Sequence, residues 1–231
     1  MNICGYQKTT LLDYPGHVAA TIFTGGCNFR CPFCHNSDLV IRSSITNNIS
    51  EEEILNFLKK RKNVLSGICI TGGEPTLQSD LEEFIKKVRS LGYKIKLDTN
   101  GYHPKLIANL LTQNLLDYIA MDIKSGYSNY AKVSGVPNLN MKHIEESISL
   151  IENSGIPYEF RTTVVKELHT ETDFKEITLM LSSQSPYFIQ SFKDSSNILN
   201  PGLSSCDIET LNSYLSIVKE KIPNAAFRGI E

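Results

Sequence analysis

The chain has 231 residues, and its 23 Lys+Arg against 25 Asp+Glu leave a formal charge of −2, which excludes a strongly basic nucleic-acid binder and an acidic disordered tail. A hydrophobic fraction of 41% supplies a real core, and the length suits one α/β domain spanning residues 1–231. No apolar run approaches the ~20 residues of a membrane helix, and Met1–Gly16 shows no apolar export segment, so a cytoplasmic setting is expected.

The elements alternate along the chain. His17–Thr24 is short, apolar and β-branched, and reads as a buried strand. A loop from Gly25 to Asn36 carries three cysteines. Ser50–Lys62 is a helix with a Ser50/Glu53 capping box, acids first and bases last. Leu65–Thr71 is the next strand, and Gly72-Gly73-Glu74-Pro75 follows it. Ser79–Leu91 is a helix with a Ser79/Glu82 capping box and a stripe of Leu81, Phe84, Ile85 and Val88. Then come strand Tyr93–Thr99, helix Pro104–Thr112, strand Asp117–Ile123, helix Met141–Asn153, strand Pro157–Val165 and helix Glu171–Leu181. Strand Tyr187–Phe192, helix Asp207–Lys221 and a short strand Ala225–Ile230 complete the chain, with Ser191–Ser205 as a surface loop. Strands alternating with helices predict parallel βαβ units. About six such units suit a partial (β/α)6 barrel, a parallel sheet with outer helices, better than a full eight-fold barrel of ~250 residues. In such folds chemistry sits at the C-terminal ends of the strands.

Six cysteines are present, and Cys27, Cys31 and Cys34 fall in the loop at spacing C-x3-C-x2-C. Three thiolates this close can hold three corners of an iron–sulfur cubane. The fourth iron would then be open, and an open metal position is where a substrate or cofactor binds. Three other readings stand beside this one. Structural zinc would use His35 as fourth ligand, although adjacency to Cys34 suits tetrahedral closure poorly. Cys31-Pro32-Phe33-Cys34-His35 matches the C-x-x-C-H of haem attachment. The three thiols would otherwise be buried packing groups, as Cys69 is expected to be. His17, His103, His143 and His169 show no ligand spacing and read as surface or loop histidines, and Lys59–Lys62 reads as a solvated charge run.

The cysteine spacing after a first strand, with Phe33 before the third Cys, resembles the radical S-adenosylmethionine (radical SAM) superfamily. Cys34-His35-Asn36 and the upstream Leu12-Asp13-Tyr14-Pro15-Gly16 resemble the activating enzymes of glycyl-radical enzymes, closest to those serving anaerobic ribonucleoside-triphosphate reductase. The resemblance implies a [4Fe-4S] cluster on Cys27, Cys31 and Cys34. It implies S-adenosylmethionine (SAM) near Phe33 and Asn36, its amino group held by Gly72, Gly73 and Glu74. Asp98 and Thr99 would lie beside its ribose and carboxylate, and Lys124 would touch it. Asp98 and Asp122 would help hold a monovalent cation, and Arg161 would meet either the SAM carboxylate or Asp122. Asp13 matches a position that meets the target glycine loop, although Tyr14 stands where those relatives have Gly. The implied partners are a glycyl-radical enzyme and an external one-electron donor such as a flavodoxin, with no membrane or nucleic acid. Two further functions remain open: a radical SAM enzyme acting on a small molecule, such as a modified-purine synthase, and a non-enzymatic metal-binding or electron-transfer module.

Overall fold

The structure is a computed structural model, and it describes residues 1–41, 49–193 and 198–229. Eight strands follow one another in sheet order as they do in the chain. The described chain forms two compact units. The first comprises Met1–Asn28, Asp38–Thr99 and His103–Ala120, and the second Phe29–Ser37, Asn100–Tyr102 and Met121–Glu231.

The first unit opens with β1 (Ile3–Thr10), which runs antiparallel to β2 (Ala19–Thr24). The sequence pattern predicts no element there, because the middle of β1 (Tyr6-Gln7-Lys8) is polar and largely exposed. Two short helical pieces follow β2: α1 (Ser37–Ile41), also unanticipated, and α2 (Glu51–Arg61). The Ser50 Oγ caps α2 by accepting from the Glu53 amide at 3.1 Å, which is the N-cap half of the expected box. The Glu53 carboxylate takes the Tyr6 hydroxyl at 3.4 Å instead. β3 (Gly67–Gly72) lies parallel to β2, and β4 (Lys94–Thr99) parallel to β3. Between them α3 (Leu81–Ser90) buries Leu81, Phe84, Ile85 and Val88. The Ser79/Glu82 capping box does not form: α3 starts one residue later, at an Asp80 N-cap without a side-chain cap bond. Competing partners explain this. Asp80 takes the Met1 ammonium, and Glu82 takes Lys86, Asn109 and Gln113. Helix α4 (Pro104–Thr112) matches its predicted bounds, with Pro104 at the position where a missing N–H costs nothing. β5 (Tyr118–Asp122) follows. The core of this unit is aliphatic, with Ile22, Ile54, Leu58, Ile68, Ile70, Ile95, Leu97 and Ile107 all buried.

The second unit carries α5 (Tyr130–Ser134), α6 (Met141–Glu152), β6 (Tyr158–Val164), α7 (Glu171–Met180), β7 (Tyr187–Ser191), α8 (Ile208–Lys219) and β8 (Ala226–Arg228). β6, β7 and β8 pair in parallel. A capping box closes the start of α7: Thr170 N–H donates to Asp173 Oδ2 at 2.7 Å, and the Asp173 carboxylate also takes the buried Ser125 hydroxyl at 2.5 Å. Asp207 caps α8 through the Thr210 amide at 2.7 Å. Part of the expected Ser191–Ser205 loop, and the last residue of the expected Ala225–Ile230 strand, lie outside the described residues. Among the described residues no helix is long and apolar enough to cross a membrane.

Candidate active site

The cysteine loop leaves the C-terminal end of β2 and is held at its start by main-chain bonds. Gly25 N–H donates to Asn2 O at 3.0 Å, and Gly26 N–H to Leu39 O at 2.8 Å. The turn after β3 grips it from the other side: Glu74 N–H donates to Gly26 O at 2.8 Å, and Gly73 N–H to Thr24 O at 2.8 Å. This approach requires two glycines. Gly72 has φ +120°, and a Cβ on Gly73 would stand 2.0 Å from the Gly26 carbonyl oxygen. The glycine pair therefore brings the end of β3 against the base of the cysteine loop. Cys27, next in the loop, is half-buried.

Glu74 is 1% exposed. Its Oε1 accepts from the Thr76 amide at 3.0 Å, the Thr76 hydroxyl at 2.5 Å and the Thr99 hydroxyl at 2.7 Å. Three donors on one oxygen let a carboxylate stay buried. Glu74 and Thr99, predicted separately, are thus in direct contact. His103, a half-buried loop residue before α4, has its Nδ1 3.1 Å from the Thr76 hydroxyl. Asp98 pairs with Lys96, which is 2% exposed and whose Nζ lies 3.8 Å from the buried Cys69 thiol. Asp13 accepts from the Thr21 hydroxyl at 2.5 Å, and the Thr10 hydroxyl takes the Leu12 and Asp13 amides at 3.2 and 3.3 Å.

In the second unit, Arg30 N–H donates to Ser134 O at 2.9 Å, and the Cys31 thiol lies 3.7 Å from the same carbonyl. Gly135 ends α5 with φ +68°, and a Cβ there would meet Arg30 O at 2.2 Å, so the end of α5 closes directly on the loop. Cys31 is buried, and Phe33, 5% exposed, turns its ring edge to His169. Burial pushes the Cys34 thiol up, while the Asn36 backbone amide and the Lys124 charge favour its thiolate. The Asn36 side chain itself is exposed.

Asp122 stands at the end of β5 between two cations. Lys124 Nζ is 3.0 Å from Oδ2, and Arg161 Nε is 2.9 Å from Oδ1. Burial alone would raise the Asp122 carboxyl, but the Arg161 and Lys124 charges outweigh it and hold the group well below the usual carboxylate range. Burial likewise opposes the Lys124 ammonium, and Asp122 and the neighbouring Cys31 more than restore it. Asp122 is one of the two partners expected for Arg161, and the two are directly paired. Arg161 Nη1 also lies 3.8 Å from Glu159, a fully buried carboxylate paired with Arg228.

His169, read as a surface or loop histidine, does lie in the loop between β6 and α7, but it is 3% exposed, a burial that sequence reasoning misses. Its Nδ1 accepts from Val165 N–H at 3.1 Å, and its Nε2 donates to Lys124 O at 2.9 Å. It thereby ties the residues following β5 and β6 beneath Phe33. The signal available was position, since His169 follows a predicted strand end. Tyr130 is missed with α5, and its ring is fully buried.

The donor chemistry can be tested against the expected groups. Three thiols on one loop, with the Asn36 amide aimed at Cys34, suit a group held by thiolates. His35, the extra ligand of the zinc reading, lies with Nε2 2.5 Å from Lys193 O and its ring stacked on Phe192. Among the described residues no three His, Cys, Asp or Glu side chains gather as around a single ion, and all six thiols are free of disulfides.

Residues 21–181 match the radical SAM superfamily. Two proteins of Methanocaldococcus jannaschii are named for glycyl-radical enzyme activation. One is 31% identical over 99% of this chain and 96% of its own length. The other is 32% identical over 78% of this chain and 69% of its own. Streptococcus suis SuiB, solved with S-adenosylmethionine, superposes with TM-score 0.69 at 15% identity over 89% of this chain. This chain spans about half the length of SuiB (49%), and the likeness speaks for a shared fold. The chain belongs to the radical SAM superfamily and is an enzyme of that class.

Proposed function

We propose that the protein activates a glycyl-radical enzyme, most specifically an anaerobic ribonucleoside-triphosphate reductase. The observation that carries the reading is the grip of the Gly72-Gly73-Glu74 turn on Gly26 at the base of the C-x3-C-x2-C loop. It holds Gly26, the residue before Cys27, against the turn that carries the buried Glu74 and its hydroxyl partners. Similarity over 99% of the chain to a protein named for glycyl-radical enzyme activation supports the activase part of the reading.

In this reading Cys27, Cys31 and Cys34 hold a [4Fe-4S] cluster, and SAM binds against the turn after β3. When bound, these groups supply one-electron cleavage of the sulfonium and a 5′-deoxyadenosyl radical that takes hydrogen from a glycine Cα of the partner. The chain's own residues orient and enclose. Glu74 and Thr99 form one hydrogen-bonded unit that receives the SAM ammonium and ribose, with Asp98 beside it. Lys124 and Arg161 receive the SAM carboxylate while Asp122 keeps them charged and aligned. Phe33 fixes the path of the loop through its packing on His169, and the Asn36 amide donates to the Cys34 sulfur. Asp13 exchanges its Thr21 bond for the incoming glycine loop. A monovalent cation draws no support from Asp122, whose carboxylate already carries two cations. An external donor of the flavodoxin kind supplies the electron.

The test is anaerobic reconstitution with iron and sulfide, reduction, and addition of SAM. Formation of 5′-deoxyadenosine is expected, abolished in Cys31→Ala and at least tenfold lower in Glu74→Ala. A glycyl-radical signal by electron paramagnetic resonance on mixing with the reductase separates the activase from a small-molecule enzyme. SAM cleavage without that signal for any glycyl-radical enzyme would move the reading to a small-molecule substrate.

A further inference from the structure

We infer that Arg228 is a positioning residue for SAM: its guanidinium saturates the buried Glu159 carboxylate, and this keeps Arg161 aligned on Asp122 in the attitude that receives the SAM carboxylate. The inference rests on the proposed function, since it takes Arg161 as a SAM ligand.

Glu159 and Arg161 stand two residues apart on β6 and so point to the same side of the sheet. Glu159 is fully buried, and a carboxylate there needs a cation and hydrogen bonds. Arg228 supplies both from β8, two strands away. Its Nη1 donates to Glu159 Oε1, and its Nη2 donates to Oε2 at 2.7 Å, a bidentate fork that engages both oxygens. Phe188 of β7 braces the fork, with the guanidinium carbon 4.0 Å from the ring centroid. Arg161 stands between two carboxylates. Its Nε and Nη2 each lie 2.9 Å from Asp122 Oδ1, while its Nη1 is 3.8 Å from the same Glu159 Oε1 that Arg228 holds. Glu159 therefore has one cation at full contact and a second within reach. Without Arg228, the buried Glu159 charge recovers a partner by drawing Arg161 across that 3.8 Å separation. A planar guanidinium that tilts toward Glu159 loses its two-nitrogen grip on Asp122. Arg228 thus decides which carboxylate sets the direction of Arg161, acting through Glu159 rather than by contact with SAM.

The experiment compares wild type, Arg228→Gln, Arg228→Lys and the double variant Glu159→Gln/Arg228→Gln after anaerobic reconstitution. The readouts are the SAM dissociation constant by equilibrium dialysis of the unreduced protein, the KM for SAM against kcat for 5′-deoxyadenosine formation, and the urea midpoint. Arg228→Gln is expected to weaken SAM binding by about tenfold, seen in the dissociation constant and KM more than in kcat. Arg228→Lys keeps a charge without the fork and is expected to fall between this variant and wild type. The double variant removes the freed carboxylate charge and is expected to return to within about threefold of wild type. A merely structural role would leave the double variant at least as impaired as the single one. Wild-type SAM affinity in Arg228→Gln, whatever its urea midpoint, would overturn the inference and leave the proposed function standing. Equal losses of affinity in the single and double variants would do the same. Should Arg228→Gln fail to fold, wild-type affinity in Arg228→Lys, or a double variant weakened by about tenfold, would overturn the inference. No SAM binding by wild type would overturn both.

Discussion

His169 shows how one side chain links a site to its scaffold. The ring accepts from Val165 N–H and donates to Lys124 O, so it has to be neutral with the proton on Nε2. Burial holds it below the ordinary imidazole value, against the Asp173 charge and the Lys124 carbonyl. The unfolded chain therefore binds the proton first as pH falls. Stability contributed by the neutral ring is complete above about 6.5 and is lost as pH drops through the lower folded value. Urea titrations from pH 7.5 to 5 are expected to show this loss in wild type and a smaller one in His169→Gln, where the titrating group is gone. His169→Ala at pH 7.5 is expected to cost about 2–4 kcal/mol, combining the lost ring with an unpaired Val165 amide. Gly73→Ala tests a different residue-scale constraint. Its Cβ would meet Gly26 O at 2.0 Å, and displacing that main chain is expected to cost about 1–3 kcal/mol and to lower iron loading after reconstitution.

At the scale of elements, capping separates two helices that look alike in sequence. Ser50 accepts from Glu53 N–H, while α3 begins at an N-cap that makes no side-chain bond. Ser50→Ala is expected to destabilise by about 1 kcal/mol, and Ser79→Ala by less than about 0.5 kcal/mol, both read from urea midpoints. The difference marks where local sequence stops being sufficient. Both helices carry Ser-x-x-Glu, and both have first-turn acids engaged elsewhere, Glu51 by Met1 and Lys87 and Glu82 by Lys86, Asn109 and Gln113. Only at α3 is the N-cap residue itself, Asp80, taken by the Met1 ammonium. The helices of nine or more residues, and the apolar strands β2 to β7, were readable because their periodicity is strong and tertiary contacts reinforce it. α1 and α5 were not, since five residues make little more than one turn and display no period. Yet α5 carries the Ser134 carbonyl to the Cys31 thiol, so the least readable element bears directly on the site. β1 escaped for another reason: as the strand at the sheet edge, with β2 its one neighbour, it keeps a polar, exposed middle that resembles a loop.

At the scale of the whole molecule, the cysteine spacing and the glycine–acid turn were readable because each is contiguous in sequence. The bonds joining Glu74 to Thr99, or Asp122 to Arg161, span 25 and 39 residues and appear only once the strands are aligned. Metal loading should report on that assembled state. Burial pushes the Cys34 thiol of the iron-free protein above its usual value, so folding favours the protonated form. The stability this contributes is present below the unfolded thiol value of about 8.5, and it is lost as pH rises through the higher folded value. Iron demands the thiolate, so loading reverses the preference and releases protons. Two outcomes are expected. The iron-free protein loses stability to urea as pH rises from 8 to 10, less so in Cys34→Ala, with the buried Cys206 thiol contributing a share common to both. The reconstituted protein is stabilised over the iron-free form by about 2.7 kcal/mol when free metal stands a hundredfold above its dissociation constant. Its loading improves with pH across 6.5 to 8, where the Cys34 contribution to the stability of the iron-free protein is complete and does not change with pH. Stripping the metal anaerobically with a chelator should restore the iron-free curve. A loading step indifferent to pH, with no stabilisation in wild type relative to Cys31→Ala, would mean that the buried thiols do not hold the metal.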